Sequence, residues 1–265
     1  MSDHYAVMGD PIAHSLSPVI HHLFAAQAKI TIRYDKILVQ PQQFRRQVER
    51  FFQDGGKGLN VTLPFKEEAF AMAGVATSRC QQARAANTLW MEQGVLHADN
   101  TDGAGFIRDL SRHVDVAGKT LLLLGAGGAA RGVIAPLLAA SITSLTVTNR
   151  TLSRAQDLQH DFPGIFCVAL DELDTYDVII HATSAGTRGE SLLWPERLLG
   201  VVPFCYDLSY RSNGSTPFVD WVRQHGCRAV DGLGMLVEQA AESFEIWHGF
   251  EPETESVLRA LRQER

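Results

Sequence analysis

Short apolar runs alternate with amphipathic segments along almost the whole chain. Early in the chain the apolar runs predict strands at Tyr5–Met8, Tyr34–Val39, Leu59–Leu63, Thr88–Met91 and Val95–Ala98. Between them, apolar residues at helical spacing predict helices at Ser17–Gln27 and Pro41–Phe52, and another that opens at Pro64–Lys66. Ser17 is expected to cap the first helix, with Pro18 in its first turn. The alternation predicts an α/β lobe that ends near residue 101.

The second half of the chain repeats the alternation. Its apolar runs predict strands at Thr120–Leu124, Leu145–Thr148, Ile165–Val168, Asp177–His181, Phe204–Asp207 and Arg228–Val230. Leu121–Leu124 is wholly apolar, which is typical of a parallel strand buried on both faces. Because helical or loop segments separate these runs, we predict a doubly wound parallel sheet.

Three further helices complete the predicted layout. One runs from Asp102 to about His113 and is expected to bridge the lobes, and Gly232–Gly234 is expected to interrupt the pattern. Helices at Met235–Trp247 and Glu255–Arg265 are expected to return to the first lobe. The predicted domains are therefore residues 1–101 with 238–265, and residues 102–237, with a cleft between them.

A glycine-rich turn follows the most apolar strand. Its six residues fit the G-x-G-x-x-G/A fingerprint of a dinucleotide-binding turn: Gly125, Ala126, Gly127, Gly128, Ala129 and Ala130. Gly125 permits the tight turn, Gly127 lets backbone amides approach a pyrophosphate, and Ala130 lets the helix pack close to the sheet. The helix would direct its positive end at the phosphates. Alone, such a turn is also compatible with a simple strand-to-helix connection.

The next strand ends in a basic tip that bears on the choice of cofactor. Asn149, Arg150 and Thr151 follow this strand, and Arg154 lies one helical turn further on. An NAD site would need an acid there to accept from the ribose 2′-hydroxyl. Two guanidiniums instead favour a 2′-phosphate, because charge-assisted hydrogen bonds contribute about 1.5–3 kcal/mol each. The tip therefore predicts NADP.

Composition places the chain among ordinary globular proteins. It has 265 residues, of which 45% are hydrophobic and 20% charged, enough for two lobes with sizeable cores. The formal net charge of -6 argues against a nucleic-acid or anionic-membrane partner. The scattered Cys80, Cys167, Cys205 and Cys227 lack metal-ligand spacing, so neither a disulfide framework nor a metal site is predicted. No signal peptide is visible, and we expect a cytoplasmic protein, monomeric or homodimeric.

Polar residues that could bind a substrate are concentrated in the first lobe. Ser15 and Ser17 place two hydroxyls beside a helix N-terminus, a potential receptor for a small carboxylate, although simple helix capping is the commoner explanation of such residues taken alone. Lys66 follows a strand and a proline, where its side chain can point into a cleft. Asn87 and Asp102 stand beside strand or helix ends. Taken singly, these three residues are also typical of a solvated helix start, a turn and a cap.

In combination, these residues resemble those of the shikimate dehydrogenase family. The matching segments are H-S-L-S-P at 14–18, N-V-T-L-P-F-K at 60–66, A-N-T-L at 86–89, D-N-T-D-G at 99–103, G-A-G-G-A-A-R-G at 125–132, N-R-T-x-x-R at 149–154 and D-G-L-G-M-L-V-x-Q-A at 231–240. They cover nearly the whole chain in the family's order and spacing.

The resemblance implies a reaction and a role for each matching residue. The reaction is the reversible NADPH-dependent reduction of 3-dehydroshikimate to shikimate, in aromatic amino-acid biosynthesis. Lys66 and Asp102 would be the catalytic pair, and Ser15, Ser17 and Tyr210 would bind the substrate carboxylate. The ring hydroxyls would be held by Thr62, Lys66, Asn87, Asp102 and Gln239. Besides the glycine-rich turn and the basic tip, the cofactor would contact Thr183, Leu208, Gly232 and Met235.

Two positions depart from the family pattern. His181 opens an H-A-T-S run where Asn-Ala-Thr-Ser is usual, and we expect a strand-end hydrogen-bonding group near the cofactor rather than a catalytic histidine. The segment after Tyr210 lacks a proline that often follows that tyrosine, which leaves the reach of Tyr210 open.

Three other functions are weighed against a shikimate dehydrogenase. A quinate/shikimate dehydrogenase that accepts NAD would be expected to carry an Asp in the Asn149–Thr151 tip, which this chain lacks. A non-catalytic NADP-binding regulator would tolerate loss of Lys66 or Asp102, yet both are present. A folate-type dehydrogenase is disfavoured by the paired serines and the D-N-T-D-G run.

Overall fold

The computed structural model describes residues 2–183 and 194–263. The chain divides into two compact units, Met1–Gly105 with Leu236–Arg265, and Phe106–Met235. Each unit contains a six-stranded sheet with helices. The predicted fold class, two α/β units of which the second is doubly wound, is confirmed. Among the described helices, none combines the length and the apolar character needed to cross a membrane.

The first unit is built on a mixed sheet. Its strands are β1 (Asp3–Gly9), β2 (Ile32–Leu38), β3 (Gly58–Val61), β4 (Val75–Ala76), β5 (Thr88–Glu92) and β6 (Val95–Asp99). Its helices are α1 (Ser17–Gln27), α2 (Phe44–Gln53) preceded by a 3₁₀ turn at Pro41–Gln43, α3 (Lys66–Met72), α4 (Ser78–Ala83), the start of α5 (Asp102–Ser111), most of α9 (Leu233–His248), and α10 (Thr254–Gln263).

The strand order in this sheet is β2-β1-β3-β5-β6-β4. β1 pairs in parallel with β2 and β3, whereas β5 runs antiparallel to both β3 and β6. One core cluster contains Phe44 and Phe65, whose rings stack with centroids 4.5 Å apart. That stack anchors the residue that immediately precedes Lys66.

The second unit has an entirely parallel sheet. Its strands are β7 (Thr120–Leu124), β8 (Ser144–Thr148), β9 (Ile165–Cys167), β10 (Val178–His181), β11 (Phe204–Asp207) and β12 (Arg228–Val230). Its helices are α6 (Gly128–Ala139), α7 (Leu152–Asp161) and α8 (Pro217–Gln224), with the remainder of α5 and the first residues of α9.

The order of this sheet, β12-β11-β10-β7-β8-β9, is that of a doubly wound dinucleotide-binding fold. Leu121–Leu124 are completely buried, as expected for a strand covered on both faces. From β7 the chain continues to β8 and β9 on one side of the sheet and then returns to β10 on the other side. The strand order therefore reverses between the neighbouring strands β7 and β10, where Leu124 pairs with His181. In open α/β sheets, ligands bind at this switch point, beside the carboxyl ends of the strands.

The start of the first helix differs from the prediction. α1 begins at Ser17, and Leu16 rather than Ser17 is its N-cap. The Ser17 hydroxyl does not cap the helix; it is buried and accepts a hydrogen bond from Ser15 Oγ at 3.1 Å. The prediction of Ser17 as the cap is therefore wrong, because the buried hydroxyl is hydrogen-bonded to Ser15 and to Tyr34 instead.

Gly234 lies inside α9 and does not interrupt it, so the predicted break at Gly232–Gly234 is also wrong at this residue. A Cβ at Gly234 would overlap the carboxylate of Asp109, which accepts a hydrogen bond from the Tyr206 hydroxyl at 2.6 Å. The glycine allows the close approach of α9 to that buried carboxylate. The short β4 and α4 were not predicted either, since two and six residues are too few for a periodic pattern.

A histidine that the apolar pattern did not single out lies at the centre of the first unit. His21, on α1, is completely buried and stacks on Tyr34, with ring centroids 4.3 Å apart. Burial and the neighbouring His248 lower the pKa of His21 from 6.5 to about 3. The ring is therefore neutral in the folded protein under ordinary conditions.

We expect this histidine to make folding sensitive to acid. Below about pH 6.5 the unfolded chain takes up a proton that the folded chain refuses, so the free energy of unfolding falls by about 1.4 kcal/mol per pH unit until the pH reaches the folded pKa. We would measure the free energy of unfolding in urea between about pH 6 and about pH 4. Its slope against pH should be flatter in His21→Phe than in the wild type by about 1.4 kcal/mol per pH unit. The control is His22→Gln at the exposed neighbour, which should keep the wild-type slope. Equal slopes in wild type and His21→Phe would contradict the assignment.

Candidate active site

Lys66 and Asp102 form a buried ion pair in the first unit. Lys66 begins α3 and Asp102 begins α5, and the Lys66 ammonium donates to Asp102 Oδ2 at 2.6 Å. The two side chains are only 15% and 5% exposed. The chain thus brings together two charges that are 36 residues apart in sequence. An ammonium has three N–H donors, and this hydrogen bond uses one of them.

Asn87 orients the carboxylate of this pair. Its Nδ2 donates to Asp102 Oδ1 at 2.9 Å and to Gln239 Oε1 at 3.1 Å. Its Oδ1 accepts from the Thr101 backbone N–H, also at 2.9 Å, which determines which end of the amide faces Asp102. Asn87 and Gln239 are both buried. The structure therefore places four of the predicted residues, from four separate segments, in one hydrogen-bonded cluster.

A second ion pair holds the strand end that leads to Asp102. Asp99, the last residue of β6, is buried and receives Arg79 Nε at 2.9 Å and Nη2 at 2.6 Å. Arg79 also donates to Glu242 on α9 at 2.8 Å. A bidentate guanidinium–carboxylate pair is geometrically specific. It ties α4, β6 and α9 together three residues before the candidate catalytic carboxylate.

The paired serines adjoin a buried series of hydrogen-bonded side chains. Ser15 and Ser17 are buried, and Ser17 is also hydrogen-bonded to the side chain of Tyr34. Burial raises the pKa of Tyr34 well above its usual value of 10, so the hydroxyl keeps its proton and donates to Asn60 Oδ1 at 2.6 Å. Asn60 Nδ2 in turn donates to the carbonyl of Asn87 at 3.0 Å. Hydrogen bonds thus connect the serines with the backbone of the Lys66–Asp102 cluster.

Tyr34 and Ser243 belong to this chain of hydrogen bonds but were not predicted. Ser243 Oγ accepts from Asn60 Nδ2 at 3.0 Å. Tyr34 carried only a strand signal, and Ser243 lies on a helix predicted from its apolar face. Asn60 stands within the N-V-T-L-P-F-K segment, so the resemblance contained a signal for it.

Thr62 is half-buried and directly follows β3, between the serines and Lys66 in sequence. Its backbone N–H donates to the carbonyl of Met8 at 2.9 Å. A Cβ at Gly9 would overlap the Thr62 methyl group, so this glycine allows the close approach of the two strand ends.

The glycine-rich turn in the second unit has the form that a diphosphate site requires. Gly125 follows β7 with φ of 120°, and a Cβ there would lie 2.9 Å from the carbonyl oxygen of Ala182. Gly127 is the N-cap of α6, and Gly128 is its first residue. A Cβ at Gly127 or Gly128 would meet nothing within 4 Å. The helix N-terminus is thus open to a bulky anion, while Ala130 is completely buried in the core. These residues fit a dinucleotide.

The basic tip follows β8, the neighbour of β7. Arg150, Thr151 and Arg154 are exposed, and Asn149 is half-buried. Asn149 Nδ2 donates to the carbonyl of Thr151 at 2.9 Å, which closes the turn into α7. The exposed guanidiniums stand at the end of the strand, as the interpretation of an anion-binding tip requires.

The remaining predicted residues follow the strands on the other side of the switch point. Thr183 follows β10, Leu208 and Tyr210 follow β11, and Gly232 and Met235 follow β12. A Cβ at Gly232 would overlap the carbonyl of Leu208, so these two predicted residues are in contact. Tyr210 is half-buried, and Ser184, the last residue of the H-A-T-S run, lies outside the described residues.

Three family models match successive parts of the chain. "Shikimate dehydrogenase substrate binding domain" matches residues 7–89, "Shikimate / quinate 5-dehydrogenase" residues 109–189, and "Shikimate 5'-dehydrogenase C-terminal domain" residues 232–262. The three matches follow the order of the motifs along the sequence.

Relatives of full length match as well. A shikimate dehydrogenase (NADP(+)) of Legionella pneumophila (strain Lens) is 54% identical over 259 residues, which cover 97% of this chain and 98% of the relative. One of Alkalilimnicola ehrlichii is 47% identical over the whole of both chains. The crystal structure of shikimate 5-dehydrogenase from Thermus thermophilus, in complex with NADP(H) and shikimate, is 30% identical, covers 99% of this chain and 100% of that one, and superposes with a TM-score of 0.89. The chain therefore belongs to the shikimate dehydrogenase family.

Proposed function

We propose that this protein is an NADP-dependent shikimate dehydrogenase. Its reaction is the reversible reduction of 3-dehydroshikimate to shikimate, in the pathway to chorismate and the aromatic amino acids. The observation that carries the proposal is the buried Lys66–Asp102 pair, held by Asn87 beside Gln239. The names of its relatives, shikimate dehydrogenase (NADP(+)), support the choice of substrate and cofactor.

Lys66 is the proton donor in this proposal. When bound, NADPH supplies the hydride that reduces the carbonyl carbon. The carbonyl oxygen then becomes an alkoxide, and the Lys66 ammonium stabilises its charge and gives it a proton. In the reverse direction the neutral amine accepts the proton of the hydroxyl. Asp102 orients the ammonium through the 2.6 Å hydrogen bond.

The buried polar residues around the pair select a hydroxylated ring acid. Thr62, Asn87 and Gln239, with Lys66 and Asp102, hold ring hydroxyls, since amide, hydroxyl and carboxylate groups complement neighbouring hydroxyls as donors and acceptors. Ser15 and Ser17 bind the substrate carboxylate, supported by their paired hydroxyls at the start of α1. A role of Tyr210 in carboxylate binding stays a prediction.

The second unit binds NADP in this proposal. The α6 N-terminus and the amides of the glycine-rich turn receive the pyrophosphate. Arg150 and Arg154 bind the 2′-phosphate, and two charge-assisted hydrogen bonds would favour NADP over NAD by roughly 10²–10⁴ before desolvation reduces the gain. Thr183, Leu208, Gly232 and Met235 contact the remainder of the cofactor, consistent with their positions after β10, β11 and β12.

The direct test is a spectrophotometric assay of NADPH oxidation with 3-dehydroshikimate. We expect turnover with NADPH and a much lower kcat/KM with NADH. In the double variant Arg150→Ala/Arg154→Ala, the KM for NADPH should rise steeply, because only NADPH carries the 2′-phosphate. The kcat/KM with NADH should change little. Dehydroquinate in place of 3-dehydroshikimate tests the quinate activity named in one of the family models. Equal rates with both cofactors would contradict the role of the two arginines.

The second test concerns the ion pair. Lys66→Met should lower kcat by roughly 10²–10⁴-fold because the proton donor is lost, while shikimate still binds. The same change leaves Asp102 buried without its cation, so the protein should also unfold more easily. Adding Asp102→Asn should restore stability but not activity. Lys57→Met, at an exposed lysine of the same unit, is the control and should leave kcat and stability unchanged. A fully active Lys66→Met would refute the proposed mechanism.

The third test separates cofactor binding from folding. Gly127 has φ of -94°, and its Cβ would meet nothing in the protein, so Gly127→Ala should fold and lose at most about 1 kcal/mol of stability, because alanine is a poorer N-cap than glycine. The added methyl group would stand in the space assigned to the pyrophosphate, and the Kd for NADP+ should rise roughly tenfold or more. Gly164→Ala, whose Cβ would make an ordinary 3.4 Å contact with Leu138, is the matched control and should change neither quantity. Calorimetric titration and thermal unfolding measure the two quantities, and unchanged affinity in Gly127→Ala would contradict the site.

A further inference from the structure

A buried histidine connects the end of β10 with the end of β11. The hydroxyl of Thr183 lies 2.7 Å from His181 Nε2, and His181 Nδ1 lies 2.9 Å from Asp207 Oδ1. His181 and Asp207 are buried, and the imidazole stacks on Phe218, with ring centroids 4.5 Å apart and planes at 15°. The three polar side chains therefore form one relay of fixed geometry.

The other hydrogen bonds of Asp207 determine which atom is the donor in each hydrogen bond of this relay. Asp207 Oδ1 also accepts the Ser209 backbone N–H at 3.0 Å, and Oδ2 accepts the Thr216 hydroxyl at 2.6 Å. Because the carboxylate acts as an acceptor throughout, His181 must carry its proton on Nδ1. In the neutral ring, Nε2 then accepts the hydroxyl proton of Thr183. The oxygen of Thr183 is left with lone pairs only, and it can act only as an acceptor toward a ligand.

Thr183 stands where the sheet receives ligands. It follows β10, whose neighbour β7 leads into the glycine-rich turn, and this pair of strands is the switch point of the sheet. The Thr183 methyl group would lie 3.2 Å from a Cβ at Gly125, so the methyl faces the turn while the hydroxyl faces His181. The basic tip follows β8, on the other side of β7. A dinucleotide with its 2′-phosphate at that tip has its other end, the nicotinamide, on the β10 side.

We propose that His181 and Asp207 are a positioning pair that makes Thr183 a hydrogen-bond acceptor for the carboxamide N–H of the nicotinamide ring. The inference rests on the proposed function, because it assumes NADP as the cofactor. The carboxamide is the primary amide at that end of the cofactor, and its N–H group complements an oxygen that has no proton to offer. His181 and Asp207 themselves act only through Thr183.

The first experiment reads the tautomer of His181 without any cofactor. Long-range ¹⁵N–¹H NMR spectra of uniformly labelled protein should show His181 protonated at Nδ1, with the signals assigned by their loss in His181→Asn. Asp207→Ala should raise the population of the Nε2-protonated tautomer, because no acceptor then holds the proton on Nδ1. An Nε2-protonated ring in the wild type would overturn the proposal.

The second experiment measures the Kd of NADP+ by calorimetry. Thr183→Val and Asp207→Ala should each weaken binding by about three- to tenfold, the usual contribution of one hydrogen bond. In the double variant the loss should equal that of Thr183→Val alone, because both changes act on the same bond. Additive losses, or none, would overturn the proposal.

Two controls separate positioning from a general structural role. Thr216→Val removes a hydrogen bond to Asp207 Oδ2, the oxygen that does not face His181, and should lower the thermal stability. The Ser209 N–H still makes Oδ1 an acceptor toward His181, so the Kd of NADP+ should stay unchanged. The 3-acetylpyridine analogue of NADP+ lacks the carboxamide N–H. The wild type should bind it about three- to tenfold more weakly than NADP+, and Thr183→Val should not distinguish the two. Weakened NADP+ binding in Thr216→Val, or equal discrimination in Thr183→Val, would overturn the proposal.

The proposed function is tested separately from this inference. NADP+ binding and 3-dehydroshikimate reduction by the wild type test the function, whereas the ratios between variants and between the two cofactors test the positioning pair. A wild type that turns over substrate, with variants that bind NADP+ equally well, would leave the function intact and refute the positioning pair.

Discussion

The arrangement of the first unit depends on a pair of opposite charges that have been removed from water. Lys66 and Asp102 are mostly buried and 2.6 Å apart. Transfer of two such charges out of water is costly, and their attraction offsets the cost only when the geometry is good and the remaining polar atoms are satisfied. Asn87 supplies that second condition by donating to the other carboxylate oxygen. The surrounding hydrogen bonds therefore make a buried lysine compatible with a stable fold.

Further hydrogen bonds hold the backbone segments that carry this cluster. Arg79 donates two hydrogen bonds to Asp99 and a third to Glu242, so the backbone that leads to Asp102 is attached to α4 and α9. On the opposite side, Tyr34 and Asn60 link Ser17 to the backbone of Asn87. A polar network of this kind is stable only when its members are satisfied together, since each buried donor or acceptor left unpaired costs about 1–3 kcal/mol. The network thus couples the two groups of residues assigned to substrate.

The second unit is stabilised mainly by apolar packing and not by a buried polar network. Its parallel sheet is held by apolar strands, and its candidate binding residues are backbone amides and loop side chains at the strand ends. Small residues set the shape there: Gly125 allows an unusual backbone angle, and Gly127 leaves space before the helix. Hydrogen bonds from Asp207 through His181 fix the orientation of the Thr183 side chain at the end of β10. In the proposed cofactor site, this relay would determine which hydrogen bonds Thr183 can form with a ligand.

The sequence by itself determined every described strand except the two-residue β4, most of the helices, the doubly wound order and the glycine-rich turn, because these depend on local periodicity and on small residues at fixed spacing. It also singled out Lys66, Asn87, Asp102 and Gln239 through a resemblance. The tertiary structure decided what no local pattern encodes: that Ser17 is buried and bonded to Tyr34 instead of capping its helix, that α9 starts before Gly234, and that His21 is buried. It also decided that Tyr34, Arg79 and Ser243 join the site. Each of these depends on a partner distant in sequence, and the free energy of a buried polar group is set by the partner that it finds.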